Sequence, residues 1–239
     1  MRIKFLKFAL ILIFLVIPVL AIVSVVTIRF TGPKLFSNAT FFVPCEHNAV
    51  GLTIDDGPDP ISTPRILDVL RDNNVTATFF IVGMRAEQHT ELLERITREG
   101  HELANHTYTE TVTIALNEVE LKDSINKTHA VLSEYQKIIW FRPGTAFYNS
   151  DIVEEIKSYE YQIVIGDIYP FDNFTSSSQF HSWYIKKLVQ PGSIIIMHDA
   201  RERGIATAET LARVLPQLNS MGYNVSSLGK LQSACTMKP

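Results

Sequence analysis

Short apolar runs alternate with amphipathic segments along most of this chain. The runs have the length and the β-branched or aromatic content of strands, and they cover residues 49–54, 77–82, 102–105, 138–141, 161–168, 193–197 and 223–227. Segments with helical periodicity lie between them, at residues 62–70, 91–99, 117–135, 150–159 and 207–220. Alternating strands and helices predict a parallel sheet with helical crossovers. Periodicity alone does not separate a closed barrel from an open sheet.

An earlier apolar run of 21 residues, 8–28, contains no charged residue. About 20 apolar residues span a bilayer as a helix. Three basic residues precede the run and two follow it, which favours a cytoplasmic N-terminus and a domain on the far side of the membrane. A cleaved signal peptide is the alternative, although its apolar region is about 7–15 residues long and ends in small residues. The greater length and the bulky end of this run favour a retained transmembrane helix.

Metal-binding and proton-transferring side chains lie where three of the apolar runs end. The segments are Thr53-Ile54-Asp55-Asp56-Gly57-Pro58, His101-Glu102-Leu103-Ala104-Asn105-His106 with Glu110, and Ile196-Met197-His198-Asp199. A parallel barrel brings the C-terminal ends of its strands together at one mouth, where such enzymes carry their active sites. The combination predicts a divalent-metal hydrolase site. No serine or cysteine lies in a recognisable nucleophile motif, so a metal-activated water is the simplest nucleophile.

Spacing within these segments indicates separate roles. Asp55 and Asp56 are neighbours on an extended segment, so their side chains point apart and should act differently. His106 and Glu110 are four residues apart, which places both on one face of a helical turn, within reach of one ion. His101 follows Gly100 at a predicted helix end, where a capping or surface role is expected.

These motifs, with Arg142-Pro143-Gly144 between them, resemble the polysaccharide deacetylase family (NodB homology, carbohydrate esterase family 4). The resemblance runs from Ala49 to about Leu231. It implies an irregular (β/α) barrel of about seven strands and one divalent metal ion, with zinc expected. It also implies hydrolysis of N-acetyl groups from the amino sugars of a polysaccharide or oligosaccharide, chitin-like or peptidoglycan-like. The predicted organisation is an anchor at 1–30, a linker at 31–48, the deacetylase domain at 49–232 and a tail at 233–239.

The resemblance also implies the metal ligands and the catalytic base. Asp56, His106 and Glu110 would bind the ion, and Asp55 would act as general base. The family pattern at the third ligand is His-x-x-x-His, or His-x-x-x-Asp in a subset, so Glu110 is a departure. Without the other motifs, Asp-Asp-Gly would be read as an ordinary turn.

The remaining roles also come from the resemblance. Arg142 would pair with the base, and the backbone N–H of Thr145 would face the oxyanion. His198 would be the general acid, and Ile196 would line the pocket for the acetyl methyl group. Asp172 best matches the acid that orients His198, with Asp167 as the rival. The chain departs from the family's Arg-Pro-Pro-Tyr-Gly motif at Gly144 and Ala146.

Other functions remain possible from the sequence. A carbohydrate-binding protein that keeps the fold but lacks turnover is one alternative, and an amidase acting on something other than a sugar is another. The net charge of −3 and the lack of a basic patch argue against nucleic acid as a partner. Cys45 and Cys235, the only two cysteines, form either one bridge in an oxidising compartment or two unpaired thiols.

Overall fold

The computed structural model describes residues 38–236 of the 239-residue chain. The apolar run at 8–28, interpreted above as a membrane anchor, lies outside the described residues. Between residues 38 and 236, no helix is long and apolar enough to cross a membrane.

The described residues form an eight-stranded parallel sheet in the order β1-β6-β5-β4-β3-β2-β7, with β8 paired to the start of β2. The strands are β1 (Ala39–Thr40), β2 (Ala49–Gly57), β3 (Thr78–Ile81), β4 (Glu102–Asn105), β5 (Trp140–Phe141), β6 (Gln162–Val164), β7 (Ile194–His198) and β8 (Asn224–Ser226). Ile168, which follows β6, bridges to Ile195 of β7, so the two ends of the sheet approach each other. This parallel, barrel-like α/β architecture was predicted from the sequence.

Helices connect successive strands, as the sequence pattern predicted. They are α1 (Ser62–Asp72), α2 (Gly83–Gln88), α3 (Thr90–Arg98), α4 (Glu118–Leu132), α5 (Ser150–Ser158), α6 (Ser178–Leu188), α7 (Arg201–Ser220) and α8 (Leu228–Thr236). Asn117 caps α4 through a capping box with Glu120, which fixes where that helix begins. The periodic pattern of the sequence does not predict α2, α6 or α8. It predicts a start of α7 at Thr207, although the helix begins at Arg201.

Strand β2 pairs with three other strands, β3, β7 and β8, and carries the Asp-Asp pair. All but one of its nine residues are buried, as expected for a parallel strand covered on both faces. The β2 residues Leu52 and Ile54, and Phe79 and Phe80 of β3, have no exposed surface. This packing makes the strand ends a rigid base for the side chains that follow them.

The compact unit begins at Asn38, ahead of β2. Strand β1 pairs with β6, and Cys45 forms a disulfide with Cys235 of α8. The segment interpreted as a linker therefore contributes a strand and a covalent tie to the fold. Of the two states left open for the cysteines, the structure has the bridge.

His101 does not have the surface role expected from its position at a helix end. Its side chain is buried, and the backbone N–H of Ala77 donates to its Nδ1 at 3.1 Å. Burial lowers the pKa of His101 to about 4, so it is a neutral hydrogen-bond acceptor inside the fold at neutral pH.

Candidate active site

The predicted catalytic side chains converge at the C-terminal edge of the sheet. Asp55 of β2 and His198 of β7 are paired residues on neighbouring strands. His106 directly follows β4, and Arg142 directly follows β5, which pairs with β4 at Asn105 and Phe141. Strand register thus brings together residues that are 143 positions apart at the extremes, Asp55 and His198.

Asp55 forms a buried ion pair with Arg142, with Nη1 and Oδ1 2.5 Å apart. The same Nη1 donates to Thr53 Oγ1 at 2.9 Å, and Arg142 Nε donates to the carbonyl of Val164 at 2.9 Å. The guanidinium lies 4.0 Å from the centre of the Phe80 ring. Burial lowers the pKa of Arg142, while the charge of Asp55 acts in the opposite direction. Arg142 is therefore fixed on several sides and holds Asp55 in one orientation.

Asp56 points away from Asp55 because the end of β2 is irregular. The pairing of β2 with β3 shifts register between Asp55 and Gly57, and Asp56 has a φ of 68°. A bulge of this kind redirects a side chain at a strand end. The Oδ1 atom of Asp56 lies 3.4 Å from His106 Nε2. The side chains of Asp55 and Asp56 point apart, as predicted, because the backbone bulges at Asp56.

Asp56 and His106 offer two ligands, a carboxylate oxygen and an imidazole nitrogen, that suit a divalent cation. His106 Nδ1 lies 2.7 Å from the carbonyl oxygen of Arg142, which can only accept, so Nδ1 carries a proton. Metal-binding histidines are commonly oriented in this way through their second nitrogen. Burial would raise the pKa of Asp56, but the hydrogen bond from His106 and the charges of His106, His198 and Arg203 lower it below the usual range. Asp56 is thus an anion facing Nε2 of His106, which must give up its proton before it can bind a cation.

Glu110 does not lie with Asp56 and His106 as a third metal ligand. The prediction required a helical turn over residues 106–110, but this segment is not helical, and Thr107 has a φ of 67°. The Glu110 carboxylate instead forms an ion pair with Arg85 of α2. Among residues 38–236, no group of three His, Cys, Asp or Glu side chains is arranged to share an ion. The two-ligand pair is present, and the third predicted ligand is engaged elsewhere.

Asp172, and not Asp167, contacts His198. The ring Nδ1 of His198 lies 2.9 Å from Asp172 Oδ1, and the backbone N–H of His198 donates to Oδ2 at 3.0 Å. Asp167 instead accepts a hydrogen bond from the backbone N–H of Ile194 at 2.7 Å. Burial lowers the pKa of His198, but the hydrogen bond and charge of Asp172, with further negative charge from Asp55 and Asp56, raise it overall. The raised pKa favours the protonated imidazole.

Thr145 lies in an exposed turn at the rim of the site. It belongs to a 3-10 turn, Gly144–Ala146, and has a φ of 62°. Gly144 donates its N–H to Thr113 Oγ1 at 2.6 Å, and a Cβ at Gly144 would come within 2.5 Å of the Thr111 carbonyl oxygen. The glycine that departs from the family motif therefore allows two loops to approach closely. Ile196 is half-buried on β7, beside Thr53 of β2.

Two arginines at the site were not found from the sequence, and Asp199, which belongs to one of the predicted segments, has contacts that the sequence did not predict. Arg203 Nη2 lies 3.0 Å from Asp56 Oδ2, and Arg85 Nη1 donates to the backbone carbonyl of Asp56 at 2.7 Å. Asp199 is fully buried and accepts hydrogen bonds from Ser62 and Thr63 at the start of α1. Burial raises the pKa of Asp199 to about 7. The Ser62-Thr63 pair that opens α1 is a sequence signal for a buried hydrogen-bond acceptor nearby. No pattern in the sequence indicates that Arg85 and Arg203 contact the site.

Fold and site together define a parallel α/β protein with a carboxylate and an imidazole, Asp55 and His198, paired at the C-terminal edge of its sheet. The sequence model of the polysaccharide deacetylase family matches residues 43–164. The chain belongs to the polysaccharide deacetylase family.

Relatives and solved structures agree with this assignment. The chain is 29% identical over 195 residues to a Bacillus cereus peptidoglycan-N-acetylglucosamine deacetylase, covering 80% of this chain and 92% of the relative. It is 28% identical over 196 residues to a Sinorhizobium fredii chitooligosaccharide deacetylase, covering 75% and 90%.

Two crystal structures have closely similar folds. A peptidoglycan N-acetylglucosamine deacetylase in complex with a hydroxamate has a TM-score of 0.77 at 29% identity, covering 84% of this chain and 95% of that chain. A mutant of a family pseudoenzyme with restored enzymatic activity has a TM-score of 0.76 at 25% identity, covering 82% and 71%. The same fold therefore occurs in an enzyme and in a pseudoenzyme whose activity was recovered by mutation.

Proposed function

We propose that this chain removes N-acetyl groups from the amino sugars of a polysaccharide or oligosaccharide, releasing acetate. The observation that carries this proposal is the pairing of Asp55 with His198 across β2 and β7, each held by its own charged partner. A base and an acid on adjacent strand ends suit the hydrolysis of an amide, which needs one proton removed and one delivered.

In the proposed reaction, Asp55 takes a proton from the attacking water, and a carbon–oxygen bond forms at the acetyl carbonyl. The carbon–nitrogen bond then breaks as His198 delivers a proton to the sugar nitrogen. Acetate and a free amine are the products. Arg142 orients Asp55, and Asp172 orients His198. We also propose that the backbone N–H of Thr145 donates a hydrogen bond to the oxyanion. Ile196 would line the pocket for the acetyl methyl group.

Asp56 and His106 would hold a divalent metal ion, with zinc the expected one. When bound there, such an ion polarises the carbonyl and lowers the pKa of a bound water. The carboxylate of Asp56 supplies the charge, and the Arg142 carbonyl orients the ring of His106. Glu110 would contribute only after leaving Arg85.

The ion pair between Glu110 and Arg85 favours a second candidate function. If Glu110 stays on Arg85, the site keeps two metal ligands instead of three. The chain would then bind N-acetylated sugars without hydrolysing them, as a carbohydrate-binding protein with a deacetylase fold.

Acetate release separates the two candidates. Purified chain is incubated with N-acetylated chitin oligomers and with peptidoglycan fragments, before and after treatment with a chelator and after zinc is restored. Deacetylation predicts acetate from at least one polymer, loss with chelator and recovery with zinc. Binding of a sugar with no acetate under any metal supply would favour the binding protein.

We further propose that the protein is held in the membrane by residues 8–28, with the domain on the extracytoplasmic side. The charge difference across the apolar run and the Cys45–Cys235 disulfide support this placement, because disulfides persist in oxidising compartments. An anchored protein stays in the membrane pellet after carbonate washing. A soluble mature form beginning near Thr31 would show instead that the run is a cleaved signal.

A further inference from the structure

Two arginines outside the family's motifs contact the carboxylates of the predicted metal ligands. Arg85 of α2 binds the Glu110 carboxylate through Nη2 and the backbone carbonyl of Asp56 through Nη1. Arg203, in the first turn of α7, binds Asp56 Oδ2 at 3.0 Å. The two anionic ligands of the predicted triad are therefore each paired with a guanidinium.

Within the three carboxylate–arginine pairs of the site, the charges balance before any cation binds. Three carboxylates and three guanidiniums form three ion pairs: Asp55 with Arg142, Asp56 with Arg203, and Glu110 with Arg85. A divalent cation adds two positive charges to this set. It gains full attraction from the carboxylates only if guanidiniums move away, because like charges at short distance repel.

The three arginines differ in how readily they can move. The side chain of Arg142 is 3% exposed, whereas those of Arg85 and Arg203 are 16% and 34% exposed. Arg142 also donates to Thr53 and Val164, so it is fixed in place. Arg203 can turn toward solvent and release Asp56 at small cost, as exposed ion pairs contribute little to stability. Arg85 is more buried and also donates to the Asp56 carbonyl, but its partner Glu110 is 39% exposed, so this pair can separate through movement of the Glu110 side chain.

We propose that Arg85 and Arg203 compete with the divalent cation for Glu110 and Asp56, so that the ion binds by displacing them. This inference rests on the metal-dependent function proposed above. Glu110 becomes the third ligand only when Arg85 leaves it. Arg85 is therefore the residue that sets whether the site has two ligands or three, and it lowers the affinity of the site for metal.

The test measures zinc affinity in a double-mutant cycle. Full-length chain is stripped of metal with chelator, and zinc binding is followed by calorimetry at fixed ionic strength in wild type, Arg85→Gln, Glu110→Gln and the double variant. We expect Arg85→Gln to tighten zinc binding by about tenfold, because a competitor is removed; this is comparable in size, and opposite in sign, to the loss that follows when supporting neighbours of metal ligands are changed. In the Glu110→Gln background, the same substitution should change the affinity less than about threefold, because the ligand it frees is missing.

Arg203→Gln provides a second variant if Arg85→Gln does not fold, and it should also tighten zinc binding. Arg201→Gln is the matched control, since Arg201 lies in the same helical turn and its backbone N–H, not its side chain, contacts Asp59. It removes the same charge and should leave the affinity within about threefold of wild type, as expected for a change that touches no ligand.

Unchanged or weaker zinc binding in both arginine variants, with tight binding in wild type, would overturn this inference and leave the metal-dependent function standing. Equal tightening by Arg85→Gln with and without Glu110 would also overturn it, since the effect would then be charge alone. If wild type binds no zinc and all variants behave alike, the proposed metal site and this inference fail together.

Discussion

At the scale of single residues, the two proposed proton-transfer groups are held in different ways. Asp55 is buried against the buried Arg142, whereas the His198 side chain is 15% exposed beside the buried Asp172. Removing one partner of a buried ion pair leaves an uncompensated charge and costs about 3–5 kcal/mol. A substitution at Asp55 therefore changes stability as well as chemistry. In His198→Ala the buried Asp172 keeps the backbone N–H of residue 198 as a hydrogen-bond donor, so His198 is the better residue for isolating the chemistry.

Asp172→Asn should shift the pH profile of the reaction. Asp172 helps to raise the pKa of His198, and a general acid works only while protonated, so activity is lost as pH rises through that pKa. Without the carboxylate the pKa falls, and the alkaline limb of kcat/KM moves to lower pH. The measurement is kcat/KM for acetate release against pH.

Asp167→Asn is the control for this profile. Asp167 bonds to the backbone of Ile194 and not to His198, so its loss should lower the melting temperature without moving the alkaline limb. An unmoved limb in Asp172→Asn, or a moved one in Asp167→Asn, would contradict the role given to Asp172.

Site residues that regular strands position could be found from the sequence, whereas a residue positioned by a loop could not. Four of these site residues lie at the end of an apolar strand or directly after it, and strand register alone brings such residues together: Asp55, His106, Arg142 and His198. Glu110 was misplaced because its position depended on a helical turn that the backbone at Thr107 does not form. Loop geometry of this kind leaves no periodic signal in a sequence.

At the scale of elements, the helices that flank β2 meet in a close contact near the site. Gly204 of α7 lies against Ser62 of α1, and Asp199 accepts a hydrogen bond from Ser62 Oγ at 2.6 Å. The sequence pattern predicts a start of α7 only at Thr207, because Arg201–Gly204 has charged residues and a glycine in place of an apolar stripe. The glycine is there because this crossing leaves no space for a side chain.

Gly204→Ala should destabilise the domain. An added Cβ would overlap the side chain of Ser62 and come within 2.9 Å of Asp199 Oδ1. The overlap outweighs the roughly 1 kcal/mol that alanine gains over glycine inside a helix. We expect a net loss of about 1–3 kcal/mol in the free energy of unfolding, as for other overpacked sites. Denaturant unfolding measures it directly.

Glu209→Ala is the matched change on the exposed side of the same helix. It should alter the free energy of unfolding by about 0.5 kcal/mol or less. If Gly204→Ala is as stable as Glu209→Ala, the close contact between α1 and α7 is not as tight as described.

At the scale of the whole molecule, the disulfide ties the start of the fold to its last helix. Cys45 and Cys235 are 190 residues apart in sequence, so the bridge closes a loop that contains almost all of the described fold. The sequence left this pairing open, because two cysteines near the ends of a domain show only that a bridge is possible. Contact between the segment around Cys45 and α8 depends on packing that no local pattern encodes.

Reducing the disulfide should lower the stability of the domain. A bridge that closes a long loop restricts the unfolded chain, and its loss costs about 2–5 kcal/mol. Melting temperature with and without a reductant should therefore differ in wild type. In Cys45→Ser the reductant should not change the melting temperature. If the reductant also leaves the wild-type melting temperature unchanged, the disulfide does not have the stabilising role given to it.

The most direct test of the central claim counts both products of the reaction. Wild-type chain, His198→Ala and the control His89→Gln are incubated with an N-acetylated amino-sugar oligomer and zinc, and acetate and new free amines are measured together. The account predicts equal amounts of acetate and amine from wild type and from His89→Gln. It predicts a rate lower by about 10²–10⁴ in His198→Ala, the usual effect of losing a catalytic acid, with the fold intact by circular dichroism. A wild-type chain that binds the oligomer but yields neither product, or a His198→Ala variant as fast as wild type, would contradict it.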